Sequence, residues 1–133
     1  MNKVLLTLSI MVLSSSLLAQ ESPTTPKAAH VQISQGPEIA LASGYLTVIR
    51  WTVNNPGGSP VHYGVVHYGT DPKDLSQTAK NPIRLNPYHS STVFRVHLYD
   101  LPPKTTYYYK VDSMDAKGRS DGVISPVKKF TTP

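Results

Sequence analysis

LPPKTTYYYKV, from Leu101 to Val111, is the stretch that decides the fold. Its two prolines end any preceding element, and after Lys104 the residues alternate so that Tyr107, Tyr109 and Val111 share one side. A period of two is typical of a β-strand with one buried face. The stretch therefore predicts a strand that follows a turn and contributes three large side chains to a core.

Other short strands are predicted on both sides of this one, each rich in β-branched or aromatic residues and bounded by turn residues. They lie at Val31 and Ile33, ending at Gly36 and Pro37, and over residues 46–53, 61–68, 93–99 and 123–131. Residues 70–90 hold three prolines and are expected to be mostly irregular, with one short edge strand near 75–79. The pattern predicts an all-β, immunoglobulin-like sandwich of about seven strands.

The alternation also assigns the predicted core. Side chains of one parity in each strand are large and apolar, so they should meet between the two sheets. The predicted core residues are Ile49, Trp51, Val66, Tyr68, Val96, Leu98, Leu101, Tyr107, Tyr109 and Val111.

The N-terminal residues predict export. Residues 1–19 have a positive start at Lys3, an apolar run over 4–13 and the small residue Ala19 at the expected cut, which together are typical of a signal peptide. An uncleaved membrane anchor is the alternative, but the run is short and is followed by serines. Residues 20–29 are polar with two prolines and predict a flexible linker, which leaves 30–133 as the domain. The expected location is secreted or periplasmic, without membrane attachment after cleavage.

Composition excludes several classes of function. The net charge of +5 comes from scattered Lys and Arg, whereas a nucleic-acid surface needs a basic stripe or a known module. The chain has no cysteine, which excludes thiolate metal sites, a cysteine nucleophile and redox chemistry.

The run from Leu101 to Val111 resembles the fibronectin type III signature, in which Leu and Pro precede Thr, Tyr and alternating apolar residues. Tyr107 stands at its tyrosine-corner position and Trp51 at its core tryptophan. A closer resemblance is to the N-terminal domain of purple acid phosphatases. This chain has that domain's Val-x-Tyr-Gly-Thr motif at 66–70, its Val-x-Leu-x-x-Leu segment at 96–101 and its closing Phe-Thr-Thr-Pro at 130–133. The resemblance covers residues 30–133.

The resemblance implies a non-catalytic part of a larger enzyme. In purple acid phosphatases this domain precedes a metal-binding catalytic domain, whose Gly-Asp and Gly-Asn-His-Glu type motifs do not occur here. We therefore predict no catalytic residue, no cofactor and no metal site in this chain.

Three sets of polar residues have an ordinary structural interpretation as well as a functional one. The histidines His30, His62, His67, His89 and His97 are interpreted as surface strand residues rather than metal ligands. Asp71 and Asp74 are interpreted as turn residues rather than as a cation-binding loop. The sequence Gly-Arg-Ser-Asp at 118–121 is only a weak likeness to an adhesion motif, because Ser replaces its Gly.

The expected function is a non-catalytic module for binding, docking or scaffolding of an unknown protein or carbohydrate. Two alternatives stay open: a detached or truncated N-terminal domain of a secreted purple acid phosphatase, and a carbohydrate-binding or adhesion module. The strand pattern places a candidate partner-binding patch on the outer face, made of Tyr63, Val65, His67, Tyr108 and Lys110. The second choice is the opposite outer face, with Leu46, Val48, Arg50 and Arg95.

Overall fold

Residues 25–133 are described by a computed structural model and contain seven strands. The strands are β1 (Ile33–Ala42), β2 (Leu46–Asn54), β3 (Val61–Gly69), β4 (Gln77–Arg84), β5 (Ser91–Tyr99), β6 (Thr106–Asp115) and β7 (Lys128–Thr131). They form two antiparallel sheets, with strand orders β1-β2-β5 and β4-β3-β6-β7. The predicted all-β sandwich of about seven strands is confirmed, and this order is consistent with a fibronectin type III-like fold. No helix long enough and apolar enough to cross a membrane occurs between residues 25 and 133.

The core lies between the two sheets and consists of the inward rows of β2, β5, β3 and β6. Trp51 on β2 stacks on Phe94 on β5 with ring centroids 5.5 Å apart. Eight of the ten residues that the alternation assigns to the core belong to the buried cluster, and Tyr68 and Leu101 pack against it while partly exposed. Tyr107 stacks on Phe130 at 5.7 Å, but within residues 25–133 its hydroxyl makes no hydrogen bond to backbone, which departs from the tyrosine corner.

Gly64 on β3 allows the two sheets to approach at the centre of the core. A β-carbon at this position would lie 3.0 Å from Cη2 of Trp51 and 3.1 Å from Cγ2 of Val96. The absence of a side chain therefore gives the indole ring its space.

Two strands run through prolines at which the sequence predicted an end or an irregular loop. β1 does not stop at Gly36 and Pro37 but continues to Ala42, with register shifts against β2 between Ile33 and Leu41. β4 spans eight residues and includes Pro82. Both are edge strands, which pair with a neighbour on one side only. A proline whose nitrogen faces the unpaired side therefore removes no hydrogen bond between strands. The last strand is shorter than predicted, since residues 121–127 carry no strand assignment.

Residues 25–29, which the composition assigns to a flexible linker, are attached to one end of the sandwich. The amide of Ala28 donates to the carbonyl of Pro56, and the amide of Gly58 donates to the carbonyl of Thr25. Ala28 also packs against the core. The predicted signal peptide over 1–19 and residues 20–24 of the predicted linker lie outside the described residues.

Candidate binding surface

The predicted patch lies on the outer face of the four-stranded sheet, where β3 and β6 pair side by side. Directly opposite pairs are His67 with Lys110 and Val65 with Asp112. Opposite residues of an antiparallel pair point to the same face, so these side chains share one surface.

The register separates the two tyrosines of that patch. Tyr63 lies opposite Met114, whereas Tyr108 lies opposite Gly69. Tyr108 and Met114 are six residues apart on β6, which at the strand rise is about 20 Å. Tyr63 and Tyr108 therefore lie near opposite ends of the paired strands β3 and β6, and a single patch containing both rings is not formed. Val65, predicted as a surface residue, is only 7% exposed.

What the face does form is a groove of about 480 Å³, here called the outer groove. Its floor is apolar, from Val65 and Met114, and one side is the turn that follows β6. The lining residues are Val65, His67, Thr78, Lys80, Asp112, Met114, Gly118 and Ser120. Two members of the predicted patch, Val65 and His67, line it.

Lys80 is the lysine that lines the outer groove. Lys80 Nζ lies 5.6 Å from the centre of the Tyr63 ring, a distance at which a cation is attracted to the ring face. Lys110 lies on the same face of β6, two residues before Asp112, whereas Lys129 lies opposite Tyr108 toward the far end of the sheet. The one groove carboxylate, Asp112, accepts a hydrogen bond of 2.7 Å from the Ser120 hydroxyl. The lining therefore holds one lysine and one carboxylate, and Lys110 adds a positive charge beside it.

The turn after β6 is held by the carboxylate of Asp115. Its oxygens accept the backbone N–H groups of Lys117 (2.9 Å) and Arg119 (3.0 Å), and Arg119 Nε at 3.0 Å. The backbone N–H of Arg119, with that of Lys117 and the guanidinium, lowers the pKa of Asp115 although burial opposes the shift. This turn presents Gly118 and Ser120 to the groove.

A buried polar cluster lies behind the same turn. His62 on β3 is 2% exposed and the side chain of Asp121 is 4% exposed, with His62 Nδ1 and Asp121 Oδ2 separated by 2.9 Å. The other ring nitrogen, Nε2, lies 3.0 Å from the carbonyl oxygen of Gly57. Burial favours the neutral ring, but the hydrogen bond and negative charge of Asp121 outweigh it and raise the pKa of His62. The interpretation of all five histidines as surface residues is therefore wrong for His62.

The sequence contained a signal for that burial. His62 and Val66 are four residues apart on β3, so the alternation puts them on the same face, and Val66 is a predicted core residue. In the structure both are buried on the inner side of β3. Its partner Asp121 is 59 residues away, in a loop whose path the alternation does not determine.

Ser113, His62 and Asp121 are close together, yet their order cannot support nucleophilic attack. The Ser113 hydroxyl donates to the Asp121 carboxylate, not to the imidazole, and the Ser113 residue is fully buried. A serine nucleophile needs a base that takes its proton and access to substrate. Within residues 25–133 no group of three or more His, Cys, Asp or Glu side chains could hold a metal ion.

Two other loops have the local geometry of turns. Asp71 accepts the backbone N–H of Lys73 at 2.9 Å through its carboxylate and that of Asp74 through its carbonyl, as expected of a turn-forming aspartate. In the Gly-Arg-Ser-Asp loop, Arg119 pairs with Asp115 and the Asp121 carboxylate is buried. That loop does not present the exposed Arg and Asp pair that an adhesion motif requires.

The outer face of the three-stranded sheet is the second-choice surface. Val48 is buried there, and Arg50 forms an ion pair of 2.7 Å with Glu38. Its exposed rings, Tyr45 and Tyr99, lie near one end of the sheet. The exposed Tyr88 lies between β4 and β5 at the other end, so the three rings do not form one platform.

Comparisons with known proteins show which family this chain belongs to. Among solved structures, the sensor domain of the anti-sigma factor RsgI4 from Pseudobacteroides cellulosolvens is similar with a TM-score of 0.45 and 19% identity, over 84% of this chain and 95% of that one. None of the curated proteins compared matches the chain. The model of the purple acid phosphatase N-terminal domain matches residues 22–132, which include seven strands and both motifs quoted above from β3 and β5. The chain belongs to the family of purple acid phosphatase N-terminal domains.

Proposed function

We propose that this protein is an exported, non-catalytic docking module that binds an acidic, partly apolar protein segment in the outer groove. The observation that carries the proposal is the combination of an apolar floor, Val65 and Met114, with the ammonium group of Lys80 on one side. The family match supports a non-catalytic role, since it is to an N-terminal domain of an enzyme family rather than to its catalytic part.

The groove fits a few side chains of a polypeptide. Its volume of about 480 Å³ is within the range of about 300–1,000 Å³ that is common for ligand pockets. The apolar floor would take one large aliphatic side chain, and Lys80 with the neighbouring Lys110 would pair with carboxylates on either side of it. Asp112 keeps its negative charge although it accepts the Ser120 hydroxyl, so the carboxylates of the segment would lie on the Lys80 side of the groove.

The test uses two synthetic peptides that alternate leucine with glutamate or leucine with lysine. Fluorescence anisotropy should show that the glutamate peptide binds and the lysine peptide does not. The substitution Lys80→Glu should weaken binding by about tenfold or more, because it replaces attraction with repulsion at the groove edge.

The matched control is Lys73→Glu, which changes the net charge equally at an exposed lysine in the 71–74 turn, away from the groove. Equal losses from Lys80→Glu and Lys73→Glu would show only a general charge effect and would contradict the proposal. So would equal binding of the two peptides.

The family match also favours a second candidate function, the N-terminal domain of a secreted purple acid phosphatase whose activity lies in a separate catalytic domain. Coding sequence in frame beyond Pro133 that specifies a metallophosphatase would favour it. In both cases residues 25–133 should not hydrolyse a chromogenic phosphate ester, with or without iron, zinc or manganese, because the adjacent Ser113, His62 and Asp121 side chains are buried in structural roles. Turnover that persists after stringent purification would contradict both.

A further inference from the structure

The outer groove and the buried His62–Asp121 pair share one loop, residues 116–122. Gly118 and Ser120 of this loop line the groove, and the next residue, Asp121, points inward to His62. We propose that the His62–Asp121 ion pair is an acid-stabilised latch, which holds this loop in place in acid and releases it as the solution becomes alkaline. The consequence for binding rests on the proposed function; the latch itself does not.

The hydrogen-bond partners of His62 require a charged ring. Nδ1 faces a carboxylate that already accepts a hydrogen bond from the Ser113 hydroxyl, and Nε2 faces the carbonyl oxygen of Gly57. Both partners can only accept, so both ring nitrogens must donate. A neutral imidazole has one N–H and can satisfy only one of the two.

The charges around the ring favour the same state. Asp121 from the loop and Asp115 from β6 both act on His62 and both are negative, while Ser113 on β6 and Gly57 from the β2–β3 connection contribute dipoles. Of the two cations of the loop, Lys117 is exposed, and Arg119 is paired with Asp115 and mostly exposed. These carboxylates raise the pKa of His62 above its usual 6.5 against the effect of burial.

Loss of the proton from the His62 ring removes the positive charge that stabilises the buried Asp121 carboxylate. The neutral ring gives up one hydrogen bond, and the carboxylate remains in a desolvated site without its cation. A buried unpaired carboxylate is stabilised by returning to water, and Asp121 can do so only if residues 120–122 move. Because the pKa of His62 is raised, the latch is fully formed below about pH 6.5 and is lost as the pH rises through the folded-state value.

Nuclear magnetic resonance can follow both ends of the latch. The ring protons of His62 should titrate with a midpoint above the usual 6.5, and Asp121→Asn should bring that midpoint down. The amide of Asp121, which donates to the Ser113 carbonyl, should exchange about tenfold faster at about pH 9 than at about pH 6 after correction for intrinsic exchange.

Two variants separate the latch from ordinary packing. In His62→Gln the corrected exchange of the Asp121 amide should no longer depend on pH, whereas His30→Gln should behave as the wild-type protein does. A His62 midpoint at or below the usual 6.5, or exchange of the Asp121 amide that does not change with pH, would overturn the latch. The wild-type titration alone decides the matter if His62→Gln does not fold.

The leucine–glutamate peptide then distinguishes the latch from the proposed function. Its affinity should fall between about pH 6 and pH 9, a range in which lysines keep their charge, and the fall should be absent in His62→Gln. If the peptide does not bind at any pH but His62 and the Asp121 amide titrate together, the proposed function is wrong and the latch stands. Binding whose pH dependence is the same in wild type and His62→Gln contradicts control of the groove by the latch.

Discussion

Gly64 on β3 faces the Trp51 ring of β2 across the sandwich, with no room between them for a side chain on residue 64. A β-carbon on residue 64 would lie 3.0 Å from the Trp51 ring and 3.2 Å from Cδ1 of Phe94. Both rings are almost fully buried and stack on each other, so neither has free space to move into. The glycine costs some strand stability but is the residue that admits an indole at this depth.

The substitution Gly64→Ala should destabilise the domain by about 1–3 kcal/mol through overpacking. Gly44→Ala is the matched control, because no atom lies within 4 Å of a β-carbon at position 44 and its backbone is compatible with alanine. Urea denaturation of the two variants measures the difference. If both change the free energy of unfolding equally, the contact with Trp51 does not limit the core.

The substitution Asp115→Asn should destabilise the domain at neutral pH and much less in acid. Hydrogen bonds from the backbone of Arg119 and Lys117 lower the pKa of Asp115 from its usual 3.8. A carboxylate with a lowered folded-state pKa contributes stability above its unfolded value, and that contribution is lost as the pH falls through the folded value.

Urea denaturation at about pH 7 and about pH 3 checks this prediction. The control is Asp74→Asn, an exposed aspartate in the β3–β4 turn at the other end of the sheet. A destabilisation by Asp115→Asn that is equal at both pH values would show that the charge of the carboxylate is not involved.

Export should remove the first nineteen residues. The positive start at Lys3, the apolar run and Ala19 predict cleavage after that residue. The intact mass of the protein collected from outside the cytoplasm should therefore begin near Gln20. A mass that includes residues 1–18 would contradict cleavage and favour an anchored form.

Alternation in the sequence predicted the inner rows of the sandwich because it reflects the strand geometry directly. Trp51 with Val53 on β2, and Tyr107 with Tyr109 on β6, have the parity that puts them in the core, and all four are buried. The same rule applied to His62 predicts an inward side chain. Its polarity, however, favours a surface interpretation, because the sequence does not show that Asp121 lies beside it.

Alternation carries no information about which residues of two strands lie opposite each other. The separation of Tyr63 from Tyr108 depends on the register of β3 and β6, which the intervening strands and turns decide. The predicted bounds of β1 and β4 are wrong at their prolines for a related reason. Residues such as Gly36, Pro37 and Pro82 would interrupt a central strand, but they are tolerated in an edge strand. The sequence alone does not show that β1 and β4 are edge strands.

The attachment of residues 25–29 has a mechanical consequence. Thr25 lies beside the loops at residues 56–58 and 87, while Pro133 accepts a hydrogen bond from the amide of Lys104 at the other end of the strands. Tension applied between these two points would pull β1 along β2 and β7 along β6, so that the ladder hydrogen bonds are loaded in shear. β7 has four residues against ten in β1. Single-molecule stretching should therefore detach β7 first, with the Phe130 ring leaving the core as the first event of forced unfolding.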